Sequence, residues 1–230
     1  MVKENYEIVR QEVVKTAKDC GRNPNDITLI AVSKTKPLEN IEELISIGVR
    51  DFGENKVQEL CDKYEHVSTP VRFHLIGHLQ TNKVKYVVDK SCLIHSVDSI
   101  RLAKEIQKVA AKKQIIAQIL IEVNLAKEES KFGLYLEDVI PFLEEIAPYS
   151  NIHVNGLMTI APFVENPEEN REYFRSLKQL SLDIISKNID NIDMNVLSMG
   201  MTNDYKVAIE EGATMVRVGT AIFGTRSYTI

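Results

Sequence analysis

The feature that most constrains this chain is its beat: short β-branched runs alternate with amphipathic helical stretches from Ile27 almost to the C-terminus. The first run, Ile27-Thr-Leu-Ile-Ala-Val-Ser33, is apolar on both faces, which suits a parallel strand buried between two layers. Pro37 then opens a helix that Gly48 ends. Further strands are expected at 49–52, 72–76, 92–96, 115–123, 153–158, 194–198 and 214–218. Helical periodicity recurs near 55–64, 81–88, 99–112, 137–146, 168–187 and 203–211. Ahead of them all, Tyr6, Val9, Val13 and Ala17 make the apolar stripe of an extra helix over about 3–20, ended by Gly21 and Pro24.

Eight strands, each followed by a helix, close naturally into a barrel, so the expected fold class is α/β, a single (β/α)8 TIM-type barrel domain over residues 1–230. The rival is an open doubly wound sheet. It would carry a GxGxxG after its first strand to bring backbone close to a pyrophosphate, and this chain has none there. No linker-like, charge-block or low-complexity tract divides the chain, and no fixed-period self-similarity points to a solenoid.

Composition serves mainly to exclude. A net charge of −5 argues against nucleic acid as a partner, because phosphate binding at scale needs a basic surface. Cys20, Cys61 and Cys92 show neither CxxC spacing nor a zinc-finger histidine pattern, so no metal and no disulfide framework is indicated, and a reducing cytoplasm is expected. The N-terminal stretch lacks the apolar core of a signal peptide, and no run approaches the ~20 apolar residues of a membrane span.

In a barrel of this kind the loops after the strands build the site. Lys34 follows directly on the first apolar strand, where partial desolvation disfavours an ammonium and leaves an amine able to attack an aldehyde. A solvated loop lysine is the plain alternative, and Lys36 beside Pro37 competes for the role. On the opposite side, Ser198-Met199-Gly200-Met201-Thr202 and Gly219-Thr220-Ala-Ile-Phe-Gly224 offer hydroxyls and glycine-freed backbone after strands seven and eight, where barrels usually hold a phosphate. Arg217, two residues before Gly219, shares its strand face and points at the same ligand if it faces inward; pairing with Glu122 is the alternative.

Other patterns carry less. Ser33-Lys-Thr-Lys36 matches SxxK, but without KTG or SDN it is a coincidence of spacing. His74, His78 and His95 stand near strand ends three and four, either as acid–base or metal groups or as hydrogen-bonded core histidines. Glu42-Glu43, Glu144-Glu145 and Glu210-Glu211 read as solvated helix surface.

Seven segments taken together carry a resemblance: Ala31-Val-Ser-Lys-Thr-Lys-Pro37, Phe52-Gly-Glu-Asn55, His74-Leu-Ile-Gly-His-Leu-Gln-Thr-Asn-Lys83, Glu129-Ser-Lys131, Gly156-Leu-Met158, Leu197-Ser-Met-Gly-Met201 and Val216-Arg-Val-Gly-Thr-Ala-Ile-Phe-Gly224. In this order, over nearly the whole chain, they resemble the YggS/PROSC family of pyridoxal 5′-phosphate (PLP) homeostasis proteins. Thr202 stands where the family pattern has serine, which keeps the hydroxyl. The resemblance implies a fold like the N-terminal barrel domain of alanine racemase and PLP held as a Schiff base by Lys34 rather than Lys36. It also implies phosphate contacts from the Ser198-Met199 loop and from Gly219-Thr220, Arg217 at the pyridine nitrogen, and Asn55 lining the pocket. A guanidinium does not give up its proton, so such a pyridine stays unprotonated and is a weak electron sink.

The implied role is binding, buffering or delivering PLP in the cytoplasm as a monomer, with apo forms of PLP-dependent enzymes as recipients and no established turnover. Alanine racemases add a second domain whose tyrosine is the opposing base, and the residues after strand eight are too few for one. A single-domain racemase or lyase using Lys34 and either His74 or another pocket residue as the two bases is the alternative. A third reading is a barrel enzyme of phosphorylated sugars with a Schiff-base lysine.

Overall fold

The computed structural model of the chain describes residues 1–224; residues 225–230 of the domain expected over 1–230 lie outside the described residues. Eight parallel strands close into a barrel in sequence order: β1 Thr28–Val32, β2 Asp51–Glu54, β3 Arg72–Leu75, β4 Ser91–Val97, β5 Ala117–Glu122, β6 Ile152–Met158, β7 Ile192–Met201 and β8 Met215–Val218, with β8 pairing back onto β1. The helices are α1 Val2–Asp19, α2 Leu38–Ile45, α3 Val57–His66, α4 Val84–Val87, α5 Ile100–Lys113, α6 Val139–Ile146, α7 Arg171–Lys187, α8 Tyr205–Glu210 and α9 Thr220–Phe223. The open doubly wound alternative is thereby excluded.

Every strand lies within three residues of its expected bounds, and the departures of β2 and β7 have local reasons. β2 starts at Asp51 rather than 49, because the amides of Gly48 and Val49 bond the Ile45 and Leu44 carbonyls and close the end of α2. That capping turn, with Gly48 at φ 91°, uses the residues that read as strand. β7 runs from Ile192 to Met201, longer at both ends than 194–198. Its exposed Asp193 and Asn195 look like turn residues in sequence but are the solvent-facing half of an alternating strand.

The barrel interior explains where the site lies. Residues two apart on a strand share a face, so each strand sends one column inward. On β1 and its extension the column is Thr28 at one mouth and Val32 and Lys34 at the other; on β2 it is Asp51 and then Asn55; on β8 it is Met215, Arg217 and Gly219. Between the two mouths, Leu93, Leu120 and Met158 form a small apolar cluster separate from the large helix-against-sheet core. The amino-terminal ends of the strands therefore make a floor and the carboxyl ends a mouth.

The extra helix α1 buries Tyr6, Val9, Val13 and Ala17, the stripe legible in sequence, together with Thr16. Asn5 Nδ2 donates to the Ile222 carbonyl at 3.0 Å, and Arg22 Nη1, just past the helix, donates to the carbonyls of Ile209 and Ala213 at 2.7 and 2.8 Å. These bonds pin α8 and α9, the elements that frame the mouth beside Gly219. Among the described residues no helix is long and apolar enough to cross a membrane.

Candidate functional site

Lys34 sits in a tight turn between β1 and α2, and its neighbours hold that turn from below. Thr35 takes a left-handed φ of 63°, uncommon for a β-branched residue. Its amide donates to Glu59 Oε1 at 2.6 Å. The buried Lys63 of α3 donates to the Ser33 carbonyl at 2.8 Å and to Glu54 Oε1 and Glu59 Oε1, both at 2.7 Å. Ser33 Oγ completes the cluster with a 2.6 Å bond to Glu54 Oε1. Burial raises the Glu54 carboxyl above its usual range, and the Lys63 ammonium only partly offsets this. Without Lys63, an acidic pair would be left in a nearly dry layer beneath Lys34.

Above this turn the mouth opens into a cavity of about 450 Å³, well within the roughly 300–1,000 Å³ typical of small-molecule sites. Lys34, half-buried, lines it together with Asn55, Arg217, Gly219 and Thr220. Lys36 does not line it: its ammonium donates to the carbonyls of Phe223 and Gly224 at 3.0 and 3.4 Å. The two candidate lysines thus part company within one turn of chain.

Two candidates lie elsewhere. Ser198 and Met199 are fully buried, Ser198 inside the barrel and Met199 in the core behind the sheet, and neither lines the cavity. The β7–α8 connection meets the cavity through Met201, Thr202, Asn203 and Asp204 instead. Gly200, at φ 89°, makes this possible, since a Cβ there would fall 2.5 Å from Ala208 Cβ. Asp204 then ties the loop down: Oδ1 accepts from the Met201 amide at 2.7 Å and Oδ2 from Asn170 Nδ2 at 2.8 Å. Across from it, a Cβ on Gly219 would come within 3.3 Å of both Val32 Cβ and its carbonyl oxygen, so bare backbone fills that side.

Arg217 is buried at the base of the cavity. Its Nη1 donates to Ser198 Oγ at 2.6 Å and its Nη2 to the Thr159 carbonyl at 2.9 Å. Neither bond goes to Glu122, the alternative partner, which acts on the guanidinium only through space. Burial lowers the guanidinium to about 10, which leaves it cationic at neutral pH. Glu122, buried at the end of β5, is pushed up to about 7 by burial first and by Asp98 second, with Arg217 opposing.

Several contributors carried no sequence signal for the site. Lys131, of the Glu129-Ser-Lys131 segment, lines the cavity. Ile160, Pro162 and Phe163, from the β6–α7 connection, form an apolar rim, with Phe163 89% exposed. The Glu59–Lys63 spacing of four is visible in sequence as a helix ion pair, but its place beneath Lys34 is not. His78 lies outside the cavity, stacked on Phe132 at 3.7 Å between ring centroids. Among the described residues no cluster of His, Cys, Asp and Glu suits a metal ion.

The family model described as "Alanine racemase, N-terminal domain" matches residues 5–227. A pyridoxal phosphate homeostasis protein from Aquifex aeolicus is 46% identical over 221 residues, 96% of each chain. One from Escherichia coli is 36% identical over 232 residues, covering 98% of this chain and 97% of that protein. Among solved structures, PipY of Synechococcus elongatus with PLP bound superposes with a TM-score of 0.86 at 30% identity, over 97% of this chain and all of that one. An alanine racemase from Clostridium difficile shares the fold alone, with a TM-score of 0.68 at 14% identity over 96% of this chain and 57% of its own. Matched over nearly its whole length, the chain belongs to the alanine racemase N-terminal domain family and to the family of pyridoxal phosphate homeostasis proteins.

Proposed function

We propose that the chain binds pyridoxal 5′-phosphate through Lys34 and serves PLP homeostasis as a carrier, buffer or regulator rather than by catalytic turnover. The observation that carries this reading is the meeting, in one cavity, of Lys34, Arg217 and the Gly219-Thr220 backbone, from strands at opposite ends of the sequence. PLP supplies an aldehyde carbon that an amine can hold and a phosphate that anchors the other pole. The residues present fit such a group. Lys34 is the amine, Arg217 faces the pyridine pole, and Gly219 with Thr220 and Thr202 suits the phosphate, with Asn55 against the ring. PLP bound to PipY, a relative by sequence and fold, supports the assignment of cofactor.

Ser198 acts in this reading through Arg217, and Met199 through core packing, because both lie below or behind the cavity. The racemase or lyase alternative needs a second base opposite Lys34. His74, the residue offered for it, is buried and bonded to Asp51 and His95 away from the mouth. The reading extends to a cytoplasmic monomer that passes PLP to apoenzymes. Borohydride reduction of the PLP-loaded protein followed by peptide mapping tests the core of it. A pyridoxyl adduct on Lys34 is expected, and an adduct on Lys36 or on no residue overturns the assignment.

A further inference from the structure

We propose that Ser198, His95 and His74 are positioning residues for Arg217, forming a one-way hydrogen-bond relay that runs from the cavity down the barrel interior to Asp51 at the floor. The proposal rests on the reading that Arg217 faces the pyridine pole of PLP.

Each bond of the relay has a single consistent direction. Asp51 anchors it as a carboxylate: burial works to raise it, but hydrogen bonds from His74 and Arg72 hold it below the usual carboxylate range. His74 Nε2 lies 3.1 Å from Asp51 Oδ1 and therefore carries the proton. In a neutral ring that leaves Nδ1 as acceptor. His95 Nε2, 3.0 Å away, must then donate to it, which makes His95 Nδ1 an acceptor in turn. The Ser198 hydroxyl, 3.0 Å from His95 Nδ1, donates there and so presents its oxygen to Arg217 Nη1 at 2.6 Å. Burial first, and the nearby Arg217 cation with it, hold His95 well below the usual histidine range, so it stays neutral within the chain.

The relay joins two openings. Arg217 lines the cavity at the mouth, while Asp51, Arg72, His74 and Cys92 line a second cavity of about 350 Å³ at the floor. A proton added to His74 turns its Nδ1 into a donor. His95 must then shift its own proton to Nδ1, and Ser198 faces donors from both sides. The hydroxyl loses its acceptor and the Arg217 bond weakens. Facing the relay are Asp51 on β2, Arg72 on β3 and Cys92 on β4, whose thiol burial keeps neutral by pushing it up to about 12. At the other end Glu122 and Asp204 act on Arg217 through space. Position in the barrel, rather than contact with a ligand, thus gives these side chains their role.

Nitrogen-15 NMR of histidine-labelled protein without PLP tests the directions independently of the cofactor. Both His74 and His95 are expected to carry their ring proton on Nε2. Finding His95 protonated on Nδ1 or cationic overturns the relay, whether or not any variant folds. The second arm measures PLP affinity and the pH profile of its visible absorbance. Ser198→Ala is expected to weaken binding about tenfold, the worth of one hydrogen bond to a charged group, with Ser198→Thr restoring it. His74→Asn is expected to shift the pH profile. A wild-type protein that takes up PLP normally while Ser198→Ala and His74→Asn change neither readout overturns the relay alone. Wild-type protein with no visible band overturns the Lys34 reading instead, and the tautomers then decide the relay.

Discussion

Lys36 Nζ donates to the Phe223 carbonyl at 3.0 Å, which draws it away from the cavity that Lys34, two residues earlier, helps to line. The turn between them separates a lysine that lines the cavity from one that satisfies the last carbonyls of α9. Lys34→Ala is therefore expected to lose the visible absorbance of bound PLP completely while melting close to wild type. Lys36→Ala should keep the colour and lose ~1–2 kcal/mol of stability, the scale of a few part-exposed hydrogen bonds. Spectra and thermal melts of the two variants check this, and a colourless Lys36→Ala would reverse the assignment.

The cluster below Lys34 predicts a large asymmetry. Lys63→Met strips the ammonium from Glu54 and Glu59 and is expected to cost about 3–5 kcal/mol, because it leaves buried acid uncompensated. Adding Glu54→Leu removes the buried carboxyl as well and should recover a good part of that loss. Urea unfolding of the single and double variants decides the matter; equal losses in both would mean that packing, and not charge, sets the cost.

Gly200 is required by its backbone as well as by space. At φ 89°, with Ala208 Cβ 2.5 Å and Tyr205 Cα 2.9 Å from where a Cβ would stand, alanine has neither the conformation nor the room. Gly200→Ala should destabilise by about 3 kcal/mol or more. It should also weaken PLP binding, since the Met201–Asp204 loop would be pushed off α8. A melting temperature within a degree of wild type would contradict the geometry.

Glu122 makes stability depend on pH in a defined direction. Its folded-state value of about 7 lies above the ordinary 4.5, so the fold binds this proton more tightly than the unfolded chain. The contribution is fully present below about pH 4.5 and is lost as pH rises through about 7, by at most ~3 kcal/mol. Glu54, shifted the same way, adds to the trend. Glu122→Gln should flatten the fall in melting temperature between about pH 5 and 8, and an unchanged slope would show that other groups carry it.

The alternation of strands and helices, the inward reach of Arg217 and the candidacy of Lys34 were all legible in the sequence, because each depends on periodicity or on position relative to a strand end. A period of two assigns Arg217 and Gly219 to one face without any knowledge of the fold. Strand bounds were less legible where a capping turn or a solvated face imitates something else, as at Val49 and Asp193. Ser198, at the end of an apolar run in a loop-like motif, reads in sequence as a phosphate contact. The register between β7 and β8 places it opposite Met215, two residues deeper than Arg217, where its hydroxyl meets a guanidinium and an imidazole.

What the sequence determined by itself, then, is the set of elements and the columns they send inward, since both follow from local spacing. Only the tertiary structure decided which lysine enters the cavity, that Lys63 lies under it, and that Asp51, His74, His95, Ser198 and Arg217 form one line. Those relations join residues up to 188 positions apart (Lys36 to Gly224). They arise from barrel closure and strand stagger, which no local pattern encodes.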